Sequence, residues 1–105
     1  MMFYIPLSMS ENFDEEELMK KRTFVLGSPY RVDVVRALKG DQFKIPSRIA
    51  KESTASANHI SKILGELKKK EVVVCVNEEA RKGRLYVLTP IGEAVAKDLE
   101  DSGLL

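Results

Sequence analysis

Cysteine and histidine are scarce in this chain of 105 residues, which contains one of each. Cys75 has no second cysteine with which to form a disulfide, and its place in the apolar run VVVCV indicates a small hydrophobic core residue. His59 and Cys75 stand at unconnected positions and cannot supply the ligand set of a metal site. The sequence therefore predicts no disulfide framework and no metal centre.

Long apolar runs are also absent, since no stretch approaches the ~20 residues that cross a bilayer. The N-terminal stretch MMFYIPLSM is apolar, but no basic residue precedes it and Pro6 interrupts it, unlike a cleaved signal peptide. Hydrophobic residues make up 44% of the chain and charged residues 31%, as in soluble globular domains. We therefore expect one compact, cytoplasmic domain with no membrane partner.

The motifs of common enzyme classes are missing as well. The chain has no P-loop, no dinucleotide-binding glycine pattern, no nucleophile elbow and no paired cysteine and histidine ligands. We therefore expect no catalytic site and no cofactor, and the sequence identifies no small-molecule effector.

Basic residues are absent from the start of the chain, where five of the 16 acidic residues lie before Leu18. All 17 lysines and arginines follow that position, so the rest of the chain has a formal charge of +6, although the whole chain has only +1. Acidic residues followed by Lys20 and Lys21 match the order that a helix dipole favours, so we expect residues 1–27 to form a partly helical acidic segment. A basic body is typical of proteins that bind a polyanion.

Capping residues and apolar spacing predict three helices after this segment. Ser28 and Pro29 begin the first helix, which ends before Gly40. Its apolar face consists of Tyr30, Val34, Val35 and Leu38. A second helix spans Pro46 to about Ser53, and after a three-residue turn a third spans about residues 56–70. Two helices joined by so short a turn form a helix-turn-helix.

A β-hairpin and a last helix complete the pattern. The runs Val72–Val76 and Leu85–Leu88 are apolar and partly β-branched, as in strands. Residues 77–84 join them and carry a basic tip. Thr89 and Pro90 then cap a final helix that leaves residues 102–105 as a tail.

Four segments carry a family resemblance: SPYRVDVVRAL, IPSRIAKES, SANHISKILGELKKKEVV and KGRLYVLTPIGEAV. They resemble successive segments of small winged helix-turn-helix transcriptional regulators of the archaeal kind, related to the multiple-antibiotic-resistance (MarR) and arsenical-resistance (ArsR) groups. The resemblance implies an α+β, mainly α fold over residues 28–101: a three-helix core, a β-hairpin wing and a C-terminal helix. The cysteine pattern of arsenical-type metal sensors is absent.

Two positions depart from the family pattern. Ile45 stands where the family usually has a small polar cap, and Glu71 stands where it usually has glycine. Left-handed geometry at Glu71 would cost about 1 kcal/mol, so local stability is expected to suffer there.

The third helix presents a narrow polar stripe when its residues are placed 100° apart. The stripe consists of Asn58, Lys62, Gly65 and Lys69. In a major groove, Asn58 can pair with adenine and Lys62 can donate to guanine. Gly65 would permit close approach to the duplex. Phosphate donors are predicted around the groove and at the hairpin tip: Ser47, Arg48, Lys51, Ser56, His59, Ser61, Arg81, Lys82 and Arg84.

Two further features leave alternatives open. His59 is interpreted as a donor at the edge of the groove, with pH sensing as the alternative. The run Lys68–Lys70 is interpreted as a solvated helix end that complements the dipole, with base reading as the alternative.

The sequence therefore predicts a regulator of transcription that binds double-stranded DNA sequence-specifically. The third helix would enter the major groove, and wing residues 77–84 would contact the backbone or the minor groove. The alternative is a winged-helix protein-interaction module in a multisubunit assembly. A homodimer is expected because two-fold operators suit paired recognition helices. The apolar residues left for its interface are Phe13, Leu18, Met19, Val95 and Leu99.

Overall fold

The computed structural model describes residues 13–40 and 42–105, so residues 1–12 of the predicted acidic segment lie outside the described residues. The described elements follow in the order α1 Glu15–Leu26, α2 Pro29–Leu38, α3 Pro46–Lys51, α4 Ala57–Lys69, β1 Val73–Cys75, β2 Tyr86–Leu88 and α5 Pro90–Asp101. Helices α2, α3 and α4 form a three-helix core, β1 and β2 form the wing, and α5 is the C-terminal helix. This is the winged helix-turn-helix architecture that the resemblance implied.

Local capping bonds explain where most of these helices begin. Ser28, Ser56 and Thr89 each accept a hydrogen bond from a backbone N–H of the helical turn that follows. Ile45, before α3, makes no such bond because its side chain has no acceptor. Loss of a cap typically costs about 0.5–2 kcal/mol, so α3 depends on the packing of its buried Ile49.

The chain leaves α4 through a left-handed residue, Glu71, whose φ is 61°. The backbone N–H of Glu71 donates to the Lys68 carbonyl at 3.0 Å, and that of Val72 donates to the Leu67 carbonyl at 2.9 Å. These two bonds form a Schellman motif, in which the left-handed residue is usually glycine. The structure therefore has the unfavourable backbone geometry that the sequence predicted for Glu71.

The apolar face of α4 lies at the centre of the core. Ile60, Ile63, Leu64 and Leu67 are all buried, at the helical spacing that the sequence predicted. Helix α1 packs against α2 and α5 and buries Val25 completely. The hydrophobic core therefore contains a side chain of α1 as well as side chains of the elements that follow residue 27.

Three apolar assignments made from the sequence are wrong. Tyr30 is 39% exposed, because at the first turn of α2 its ring projects beyond the core. Val95 and Leu99 are fully buried, because α5 packs against α1 and α2. Neither side chain is accessible to a second subunit.

The wing strands are shorter than predicted, with three residues each, and they pair antiparallel. Tyr86 also exchanges two backbone hydrogen bonds with Lys44, at 2.9 and 3.0 Å, which attaches the link between α2 and α3 to the sheet. A β-carbon at Gly92 would lie 2.1 Å from the Val72 carbonyl oxygen. Glycine at this position therefore permits α5 to pack closely against the start of the hairpin.

Candidate nucleic-acid interface

Helix α4 exposes the polar face opposite its buried one. Asn58, His59, Ser61 and Lys62 are all exposed along this face. Gly65 is exposed too, and a β-carbon added there would meet no heavy atom within 4 Å. The predicted stripe is thus accessible and has no bulky apolar side chain.

His59 is held by an aromatic contact that the sequence analysis did not anticipate. Its ring stacks on Tyr30, with the ring centroids 5.5 Å apart and the planes inclined by 26°. Because Tyr30 belongs to α2, the pair joins the first turns of two helices at the surface. Helical spacing alone placed Tyr30 among the core residues. Its position in the first turn of α2 was the only feature of the sequence that could have indicated an exposed ring.

Helix α3 exposes the three side chains that were predicted to reach phosphate: Ser47, Arg48 and Lys51. Arg48 Nε donates to a Glu52 carboxylate oxygen at 2.9 Å. A guanidinium has five N–H donors, so this bond leaves others for a second acceptor. Lys51 has no acidic partner in the part of the chain that the structure describes.

A buried lysine beneath α3 was missed by sequence reasoning. Lys44 Nζ donates to the Ala37 carbonyl at 2.6 Å and also pairs with Glu52. These bonds satisfy an ammonium that would otherwise be costly to bury. The bond from Lys44 is the main reason that the pKa of Glu52 lies below its usual value, and the bond from Arg48 adds to it. Lys44 is the central residue of the short extended link between α2 and α3. Successive side chains of an extended segment point in opposite directions, so Lys44 faces inward while its two neighbours are exposed.

The loop of the wing is organised by Asn77. Its side-chain oxygen accepts from the Leu85 N–H at 2.7 Å, and its side-chain nitrogen donates to the Gly83 carbonyl at 3.1 Å. Gly83 has a φ of 68°, a conformation that favours glycine. Arg81 and Lys82 are exposed beside it and form no ion pair with any described residue.

Two more contacts fix the position of the wing. Arg84, although exposed, donates from Nε to the Ala80 carbonyl at 2.8 Å. Glu78 pairs with Lys68 at the end of α4. This pairing is the main reason that the pKa of Glu78 lies below its usual value. The wing is therefore held by its own loop and by α4.

Ion pairs divide the basic residues of the chain into two groups. Outside residues 46–84, six of the eight lysines and arginines pair with a carboxylate of a described residue. Within residues 46–84, only two of nine do so. The other seven are Lys51, Lys62, Lys69, Lys70, Arg81, Lys82 and Arg84. Positive charge without a carboxylate partner is thus concentrated on α3, α4 and the wing.

Residues 13–40 and 42–105 also bear on metal binding, membrane insertion and thiol chemistry. No group of three or more histidine, cysteine, aspartate or glutamate side chains there could hold a metal ion. No helix within these ranges combines the length and apolar character needed to span a membrane. Burial is the main reason that the pKa of the Cys75 thiol is raised, and Sγ lies 3.5 Å from the Asn77 side-chain oxygen. Such a thiol is a poor nucleophile.

Comparisons with known proteins support the same fold. No protein-family model matches the chain, and a search of curated proteins finds no significant match. Among solved structures, the chain is similar to the MarR family transcriptional regulator SPO1453 from Silicibacter pomeroyi DSS-3, with a TM-score of 0.64 and 20% sequence identity. The match covers 85% of this chain and 65% of the regulator, so this chain spans slightly less than two thirds of that protein. The likeness establishes the winged-helix fold.

Proposed function

We propose that this chain regulates transcription by binding double-stranded DNA sequence-specifically. In this proposal α4 enters the major groove, while wing residues 77–84 contact the backbone or the minor groove. The observation that carries the proposal is the concentration, on α3, α4 and the wing, of cations without a carboxylate partner among the described residues; Lys70 is not counted, because it follows α4 and its ammonium lies near the Phe24 ring. Such cations can neutralise phosphates and release condensed counterions, which supplies much of the free energy of DNA binding.

Base reading is assigned to Asn58 and Lys62. Both are exposed on the first two turns of α4, the part of a recognition helix that faces base edges. An asparagine can make two hydrogen bonds to adenine, and a lysine can donate to guanine. Ser56 Oγ accepts the capping bond from the His59 N–H at 3.4 Å, which leaves the Ser56 hydroxyl proton to donate to phosphate beside the first turn of α4.

The remaining predicted contacts are assigned to phosphate. They are Ser47, Arg48, Lys51, His59, Ser61, Arg81, Lys82 and Arg84, all of which are exposed. The three elements that carry them are contiguous, since α3 packs on α4 and the pair Lys68–Glu78 joins α4 to the wing. Phosphate contacts of this kind fix orientation on the duplex and carry no sequence information.

A homodimer in the cytoplasm belongs to the same proposal. With Val95 and Leu99 buried, the most exposed large apolar side chains among the described residues are Met19, at 51%, and Leu104, at 45%. They lie on α1 and directly after α5, two elements that pack together. Sedimentation should therefore give a dimer, and a Met19→Lys, Leu104→Lys double variant should shift it toward monomer. A wild-type monomer at tens of micromolar, both free and on DNA, contradicts the dimer.

The first experiment is a fluorescence-anisotropy titration with a mixed-sequence duplex at several salt concentrations. We expect affinity to fall steeply as salt rises, because each neutralised phosphate contributes about −0.9 to the log–log slope. Binding that is absent, or that does not depend on salt, contradicts the proposal. The winged-helix protein-interaction module then becomes the better interpretation.

The second experiment tests base reading on a preferred sequence selected from a random library. An Asn58→Ala, Lys62→Ala double variant should lower the ratio of specific to nonspecific affinity at least about 30-fold, since it removes two base contacts, each worth about 1–3 kcal/mol. Lys97→Ala is the matched control, because Lys97 is an exposed lysine of α5 without an acidic partner among the described residues. An unchanged specificity ratio in the double variant rejects the assignment.

A further inference from the structure

Three consecutive lysines lie at the C-terminal end of α4, the last of them directly after it, and each has different surroundings. Lys68 pairs with Glu78 of the wing. The Lys70 ammonium lies 5.5 Å from the centre of the Phe24 ring, within the range of a cation–π interaction. Lys69 is exposed and has no partner among the described residues. Of the three lysines, Lys69 is therefore the one whose ammonium has no partner among the described residues.

Lys69 borders a shallow, open depression of about 590 Å³ on the exposed side of α4. We call it the Gly65 depression; it is lined by Lys62, Gly65, Glu66, Lys68 and Lys69. Lys69 follows Lys62 by seven positions, so the two lie about 20° apart around the helix, with Gly65 between them along its axis. The Glu66 carboxylate accepts from Arg31 Nε at 3.1 Å, so the one acidic side chain of the lining is already paired.

Glycine at position 65 is not required by the fold. A glycine in the middle of a helix weakens that helix relative to alanine. At Gly65 an added β-carbon would contact nothing within 4 Å, so no packing within the described chain compensates for the weaker helix. Glycine does, however, permit another molecule to approach the helix backbone closely.

We infer that the sugar-phosphate backbone of the duplex lies against the Gly65 depression and that Lys69, unlike Lys68 and Lys70, donates to its phosphate. The inference rests on the proposed DNA binding and adds a contact to it, at the end of α4 opposite the base-reading turns. The depression is suited to a negatively charged group. Two of its lysines, Lys62 and Lys69, have no carboxylate partner among the described residues, and its one carboxylate is bound to Arg31.

The first test compares Lys69→Ala with Lys70→Ala, which remove the same charge from adjacent positions. Anisotropy titrations with a mixed-sequence duplex should give a log–log salt slope about 0.9 shallower for Lys69→Ala. Equivalently, the ratio of the affinity at about 50 mM salt to the affinity at about 200 mM salt should be about 3.5-fold smaller for Lys69→Ala than for the wild type. Lys70→Ala should keep the wild-type slope, and Lys69→Arg should restore it.

The second test uses Gly65→Ala, with Thr23→Ala as the matched control. Both replace a poorer helix former by alanine at an exposed helical position, so both should raise the melting temperature measured by circular dichroism. Only Gly65→Ala should weaken DNA binding, at least about fivefold, because its methyl group would occupy a site of close contact.

The outcomes separate this inference from the proposed function. If the wild type binds DNA but Lys69→Ala and Lys70→Ala give equal salt slopes, the phosphate contact is refuted and the proposed function stands. If Gly65→Ala is stabilised and binds as tightly as the wild type, the duplex does not contact Gly65, which also refutes the inference. If the wild type shows no salt-dependent binding, the proposed function and the inference fail together.

Discussion

Replacing Glu71 by glycine should stabilise the fold by about 0.5–1 kcal/mol. The φ of Glu71 is 61°, and left-handed geometry costs a residue with a β-carbon about 1–2 kcal/mol. Glycine avoids this cost, but its greater freedom in the unfolded chain offsets about 0.5–1 kcal/mol of the gain. For a domain of this size, the net change corresponds to a rise in melting temperature of about 2–5 °C.

The Schellman motif itself should survive the substitution, because the bonds around position 71 are made by backbone groups. The N–H donates to the Lys68 carbonyl at 3.0 Å, and the carbonyl accepts from Thr89 Oγ1 at 2.6 Å. Glycine retains both groups. The calculated gain therefore needs no correction for a lost hydrogen bond of the main chain.

The assay is thermal unfolding followed by circular dichroism for Glu71→Gly, Glu71→Asn and Glu71→Ala. We expect the glycine variant to melt highest and asparagine second, because asparagine tolerates left-handed geometry better than most residues. Alanine should not raise the melting temperature, since it keeps the β-carbon. If alanine stabilises as much as glycine, the gain comes from removing the Glu71 side chain, and the argument from backbone geometry is refuted.

Three further predictions follow from the wing, from α5 and from α2. Arg81→Ala with Lys82→Ala should make the log–log salt slope of DNA binding shallower by up to about 2 with little change in specificity; unchanged slopes would exclude wing contacts. Gly92→Ala should lower the free energy of unfolding by about 3 kcal/mol, because its β-carbon would lie 2.1 Å from the Val72 carbonyl oxygen. Urea unfolding measures this loss, and a smaller loss would mean that α5 can shift. The Thr54 hydroxyl holds the pKa of Asp33 below its usual 3.8, so this carboxylate stabilises the fold above that pH. The contribution is lost as pH falls through the lowered pKa, so Asp33→Asn should flatten acid unfolding in that range; an unchanged acid-unfolding curve would argue against it.

Much of the fold could be predicted because its determinants are local. Ser28, Ser56 and Thr89 cap helices through bonds to residues two or three positions away, which a sequence displays directly. The apolar spacing of α4 likewise identifies its buried face from neighbouring turns. The left-handed geometry at Glu71 followed from the family pattern, because a glycine is expected after the last turn of such a helix.

The features that were missed depend on contacts between elements. The stack of Tyr30 on His59 joins α2 to α4, and helical spacing within α2 does not reveal it. The burial of Lys44 depends on Glu52 and on a carbonyl at the end of α2. Leu99 was offered to a dimer interface because the sequence did not show that α1 packs against α5. Such contacts follow from tertiary geometry, which no local pattern specifies.

The acidic residues near the proposed DNA-binding surface explain how that surface can stay positive. Three of the five acidic residues within 46–84, Glu52, Glu66 and Glu78, each accept from a cation of their own chain. Two of the partners, Arg31 and Lys44, come from outside residues 46–84, so they neutralise local negative charge without using a cation of the surface itself. The same pairs join α2 to α4 and the α2–α3 link to α3. Internal ion pairs thus position the elements, while the cations of the proposed DNA-binding surface remain available for phosphate.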